Sequence, residues 1–150
     1  MRITDLLAPE AIELGVSVAS KPEAIEKLIS LHDGAGNLND VEVYREAILA
    51  REAGGTTAIG EGMAIPHAKT DAVKAASLVA VKFTDTVEWA SMDGEPIKAA
   101  IALFAPASDP TTYLGLLSKV AVLLHDEKFR AGIFASEDVA EIADAIAAGL

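Results

Sequence analysis

The chain of 150 residues contains no cysteine. That absence excludes disulfides, thiolate metal sites and any cysteine nucleophile within it. Aromatic residues are scarce, 5% of the total against 51% hydrophobic residues, so the core must be built from Ala, Val, Ile and Leu. Clusters of Lys and Arg are missing too, and the formal net charge is −11. Binding a nucleic-acid backbone relies on such clusters, so the composition argues against that partner. The acidity suits either steering towards a basic protein partner or plain solubility. Long apolar runs are also absent: the longest uncharged one, residues 99–107, falls far short of the ~20 residues that cross a bilayer. The opening Met1-Arg2-Ile3-Thr4-Asp5 lacks the apolar segment of a signal peptide. The expectation is a single domain over residues 1–150, cytoplasmic and without membrane insertion.

What is present divides into helices at the ends and strands in the middle. Ser20-Lys21-Pro22-Glu23 is a capping box, and the helix it opens should run to about residue 32. Residues 33–37, Asp-Gly-Ala-Gly-Asn, end it. Asp40 should cap a second helix, which Gly54-Gly55 terminates just after Arg51 and Glu52. Apolar runs at 77–84 and 97–104 read as strands, the second buried on both faces. Met92-Asp93-Gly94 between them is a turn, and shorter strands fit near 12–18 and 56–59. Past a loop at 105–111, Tyr113, Leu114, Leu117, Val120, Ala121 and Leu124 form an amphipathic helical face. Asp126 should cap a short helix through residue 134 and Ser136 a last one. Helices around central strands imply an α/β fold, a mixed sheet with helices on its faces.

Three histidines are candidates for chemistry. Their separations do not match a zinc helix, and no acidic residue stands at H-E-x-x-H spacing, so no metal site is expected. His32 and His125 both lie at helix C-termini, where the dipole favours a partly charged imidazole, and both read as structural or solvated. His67 differs. It follows Pro66, which stiffens the stem and pushes Ile65 towards an extended conformation. Upstream, Gly60 and Gly62 would let backbone N–H groups approach a bound anion. An imidazole fixed beside free amides suits receiving and passing on a phosphoryl group. No G-x-S-x-G elbow or Walker loop occurs, and Gly60-x-Gly62 lacks the third glycine of a dinucleotide fingerprint.

Arg51-Glu52, followed by Thr57-Ala58-Ile59-Gly60-Glu61-Gly62-Met63-Ala64-Ile65-Pro66-His67-Ala68-Lys69, resembles the active-site segment of fructose/mannitol-type enzyme IIA. That family belongs to the phosphoenolpyruvate-dependent sugar phosphotransferase system. The likeness continues through Val87-Glu88-Trp89-Ala90-Ser91-Met92-Asp93-Gly94, similar to the v-x-W-x-x-x-D-G stretch of fructose members, and into the helix at 114–117.

The resemblance implies that His67 is a nucleophile and transient phosphoryl carrier. It would take the group from the carrier protein HPr and hand it to a cysteine of enzyme IIB. Uptake and phosphorylation of a fructose-like sugar then proceed through the membrane component, enzyme IIC. The family uses Nε2, a choice the residues alone leave open. Arg51 matches the family's active-site arginine and would neutralise phosphoryl oxygens; otherwise it is a solvated charge at a helix end. Without cysteine, the acceptor must be a second polypeptide. No cofactor is implied. Relatives usually carry a His-Leu pair where this chain has Tyr113-Leu114. Tyr113 either turns its hydroxyl and nearby N–H groups towards the phosphoryl group or packs as the first residue of an apolar face. The rival is a regulatory module, like the nitrogen-related branch, whose phosphorylation state controls partner binding.

Overall fold

The structure, a computed structural model, describes residues 3–150. Residues 1 and 2 of the N-terminal stretch read above lie outside the described residues. A short helix α1 (Ile3–Leu6) and a 3-10 turn at Pro9–Ala11 lead into β1 (Ile12–Val16). The capping box opens α2 (Lys21–Gly34): Ser20 Oγ accepts the amide of Glu23, while the Glu23 carboxylate reaches back to the amide of Ala19. α3 (Val41–Ala53) starts at Asp40, whose carboxylate accepts the amides of Glu42 and Val43. Three short strands follow, β2 (Ala58–Gly60), β3 (Met63–Ala64) and β4 (His67–Lys69), and then the long pair β5 (Ser77–Val87) and β6 (Ile97–Ala105). The chain closes with α4 (Pro110–Leu124), α5 (Glu127–Ala135) and α6 (Val139–Gly149).

The α/β reading holds. The strands form one mixed sheet in the order β1-β5-β6-β3-β2, with β4 also paired to β6. β5 and β6 are antiparallel, whereas β1 runs parallel to β5 and both β3 and β4 run parallel to β6. Residues 99–105 of β6 are buried, as their unbroken apolar pattern requires. Helices cover the sheet with small aliphatic side chains: α2 buries Ala24, Ile25, Leu28 and Ile29, and α6 buries Ile142 and Ile146. Each such Ile or Leu contributes about 1.5–3 kcal/mol. Among the described residues no helix is long and apolar enough to cross a membrane.

Three expectations change. β3 and β4 extend the sheet past the short strand expected near 56–59. They are one extended segment broken at Pro66, which cannot donate to the ladder but whose carbonyl accepts the Leu103 amide at 2.9 Å. The last helix is capped by Asp138, whose carboxylate accepts the Glu141 amide at 2.9 Å, and not by Ser136. Ser136 instead ends α5, its hydroxyl turned back to the Ile133 carbonyl.

The third is His32, which carries no charge shared with the helix dipole. It is completely buried, and burial pulls its pKa down to about 4. Nδ1 meets the Tyr44 hydroxyl at 2.9 Å and Nε2 meets Ser77 Oγ at 2.6 Å. Ser77 donates to the Ala75 carbonyl, so its oxygen accepts the Nε2 proton and Tyr44 donates to Nδ1. The neutral imidazole thus satisfies α2, α3 and β5 at once.

Candidate active site

His67 opens β4, half-buried, with its backbone paired to Leu103 of β6. Successive strand residues alternate faces, so Ala68 points into the core and Lys69 shares the outer face with His67. The ring is fixed from behind, because Nδ1 stands 2.6 Å from the Ile65 carbonyl. A carbonyl only accepts, so Nδ1 carries the proton and the lone pair lies on Nε2. Pro66 holds Ile65 extended, which aims that carbonyl at the ring.

Arg51 reaches the same atom from the last turn of α3. Its Nε–H points to Nε2 at 3.4 Å, a weak hydrogen bond, and Nη1–H donates to the Gly55 carbonyl at 3.0 Å. The guanidinium is therefore held beside the nitrogen that carries the lone pair. Burial lowers the His67 pKa below the ordinary histidine value. The bond to the Ile65 carbonyl opposes this, the Arg51 charge adds to it, and the Glu52 carboxylate opposes it. At neutral pH the imidazole is neutral with an available lone pair.

Tyr113 comes from α4. Its ring centroid lies 6.3 Å from that of His67, and it is buried against Ala76 and Ala105. Burial raises its pKa, so the phenol stays protonated. The amides of that helix start do not face an incoming anion. The helix begins at Pro110, and Asp109 already occupies its N-terminus by accepting the Thr112 amide at 3.2 Å. Tyr113 sits a full turn in, with its own amide bonded to the Asp109 carbonyl.

Gly60 and Gly62 lie elsewhere. They form the β2–β3 hairpin tip with φ of +92° and +80°, which side chains rarely adopt. The Gly62 carbonyl pairs with the amides of Lys98 and Ala99, four residues along β6 from the partner of His67. At ~3.3 Å per residue that is ~13 Å from the imidazole. An anion does meet this turn, but it is Asp93, whose carboxylate accepts the amides of Glu61 at 2.8 Å and Glu95 at 3.0 Å and the Ser91 hydroxyl. The glycines shape a hairpin clipped by the chain's own carboxylate.

Behind Arg51 lies a network that residue patterns did not single out. Thr57 donates to the Glu52 carboxylate and accepts the indole N–H of Trp89 at 3.0 Å, while Thr56 donates to the Trp89 carbonyl. Lys21 Nζ stands 2.7 Å from Glu52 Oε2, close but off the hydrogen-bond axis, and 5.2 Å from the Trp89 ring. Trp89 and Asp93 therefore tie the loop after α3 and the hairpin to the sheet. The Arg51-Glu52 pair was the available signal for this network.

The family model described as "Phosphoenolpyruvate-dependent sugar phosphotransferase system, EIIA 2" matches residues 5–149. The "PTS system fructose-specific EIIABC component" of Bacillus subtilis is 37% identical over 97% of the chain, which spans only 23% of that protein. A "Nitrogen regulatory protein" of Bradyrhizobium diazoefficiens is 35% identical over 98% of the chain and 95% of its own length. The crystal structure of nitrogen regulatory protein IIA-Ntr from Neisseria meningitidis superposes with a TM-score of 0.89 at 26% identity, covering 96% of this chain and 98% of that one. A family model that runs almost end to end, and a relative 37% identical over 97% of the chain, make the chain a member of the type 2 EIIA family of the phosphoenolpyruvate-dependent sugar phosphotransferase system.

Proposed function

We propose that the protein is a phosphocarrier whose His67 Nε2 accepts a phosphoryl group from phosphorylated HPr. It then passes the group to a cysteine of a separate enzyme IIB, feeding uptake of a fructose-like sugar through enzyme IIC. Membership of the family makes the chain a phosphotransfer component. The observation that carries the assignment is the 2.6 Å contact from Nδ1 to the Ile65 carbonyl, which directs the lone pair outward beside Arg51.

In the forward step the Nε2 lone pair attacks phosphorus. The N–P bond of the donor breaks, and its electron pair returns to the donor nitrogen. Nδ1 keeps its proton, and the Ile65 carbonyl supports the positive charge that the ring then gains. Arg51 offers its planar fork of donors to the equatorial oxygens. Transfer onward repeats the geometry, with the acceptor sulfur attacking and the pair returning to Nε2. Positioning and charge neutralisation supply most of the rate, as phosphoryl transfer needs little else from the protein.

The test is incubation with phosphorylated HPr followed by detection of acid-labile label at His67. A parent chain that stays unlabelled overturns the reading. The regulatory alternative draws support from the Bradyrhizobium relative, which matches over almost its whole length. It predicts labelling from HPr without onward transfer to any enzyme IIB cysteine. Phosphorylation would then change the affinity for a regulatory partner.

A further inference from the structure

We propose that Lys69 is a second cation of the phosphoryl site, held in place by the ring of Tyr113. The inference rests on the phosphocarrier reading. Its first support is the strand itself: Lys69 lies two residues from His67 on β4, so both side chains leave the same face. Next is Tyr113, whose ring has its centroid 5.8 Å from Lys69 Nζ and 6.3 Å from the His67 ring. That ring is buried against Ala76 and Ala105, so it is a fixed platform against which a flexible ammonium can rest. Finally, among the described residues no carboxylate pairs with Lys69, whereas Lys21, Lys27 and Arg45 all hold acidic partners. An exposed ammonium left unpaired in a chain of net charge −11 is available to an incoming anion.

The charge balance fits. A phosphoryl group in transit to Nε2 brings two negative charges before the ring has gained its own positive charge, and Arg51 offsets one of them. Lys69 supplies the other from beside the Tyr113 ring. The aromatic face contributes by placing the ammonium, so Tyr113 is a positioning residue here and its hydroxyl is dispensable.

Phosphoramidate, a small donor, tests this without a partner protein whose docking Lys69 could also serve. The His67 Nε2 lone pair forms the new N–P bond, and ammonia leaves with the electron pair of the old one. Labelling rates of the parent and variants are compared at low and high salt, with His67→Ala as background. Lys69→Met should slow labelling of His67 about tenfold at low salt, as loss of a charge-assisted contact would, and less at high salt. Lys69→Arg should stay within about threefold of the parent, as should Tyr113→Phe. Tyr113→Leu should slow labelling, and by much less in a Lys69→Met background. A parent chain labelled at His67 with Lys69→Met equally fast overturns the Lys69 assignment alone. Slowing by Lys69→Met that salt leaves unchanged overturns its electrostatic basis. A parent unlabelled at His67 by either HPr or phosphoramidate overturns this inference and the phosphocarrier reading together.

Discussion

Taking the protein from pH 7 to pH 4.5 probes the buried His32 directly. In the unfolded chain the imidazole titrates near ~6.5, whereas in the fold its pKa is pulled down to about 4. The folded value is depressed, so the stabilisation is fully present above the unfolded pKa and is lost as pH falls towards the folded one. At pH 4.5 the unfolded state holds the proton and the native state mostly does not. Linkage then gives a loss of about 2.5 kcal/mol, approaching roughly 3 kcal/mol below both values. That is a large part of the ~5–15 kcal/mol that holds a domain together. Carboxylates and His67 also titrate in this range, so the measurement is a double difference. Urea unfolding of the parent and of His32→Gln at both pH values cancels their share. The glutamine variant should be less stable at pH 7, because a buried hydrogen-bonding chain is cut, yet lose about 2 kcal/mol less than the parent on acidification. Equal losses in the two proteins, within ~0.5 kcal/mol, would refute the neutral buried imidazole.

Four further outcomes are expected. Tyr44→Phe leaves His32 Nδ1 without its donor and should cost about 1–3 kcal/mol in urea unfolding; no loss would mean the contact is idle. His67→Ala should abolish labelling by phosphorylated HPr while moving unfolding by no more than about 1 kcal/mol, since the ring is half-exposed. Arg51→Lys should slow single-turnover transfer by losing the planar fork, and Arg51→Ala should slow it further, whereas parent-like rates in both would make the arginine a solvated helix-end charge. Because the His67 pKa lies below its ordinary value, the transfer rate should hold at pH 6.5 and fall only as pH drops through the lowered value, which a pH–rate profile reads directly; a half-maximal rate above pH 6.5 contradicts it.

Local signals were legible wherever one stretch of chain decides the outcome. Ser20 and Glu23 announce α2, and Asp40 announces α3, because a cap needs only residues three or four apart. β6 was legible from its continuous apolar run. β3 and β4 were not, since two or three residues on either side of Pro66 become strand only by pairing with β6, more than thirty residues away. Gly60 and Gly62 show the converse error. Their conformational freedom was visible, but the Asp93 carboxylate that occupies the turn was not. His32 is structural, as one of its two readings had it, but the charge assigned from the helix dipole fails because the dipole is a local property and burial between three elements is not. Of the candidate site, His67 was read from its flanking proline and glycines, and Arg51 only from the resemblance to the enzyme IIA segment. Lys69 stood in the same segment, yet its place depends on a ring 44 positions on, and only folding brings the two together.

The strand order has a consequence for how such a protein can be assembled. The first strand β1 and the last helix α6 pack together at one edge of the sheet. β4, with His67, lies beyond β6 on the other side. Three strand spacings of ~4.8 Å put the two edges ~14 Å apart. A tether joined near β1 or α6 therefore starts across the sheet from His67. Attaching an acceptor domain that way would replace diffusional encounter with an effective concentration in the millimolar range, without altering a single contact at the imidazole.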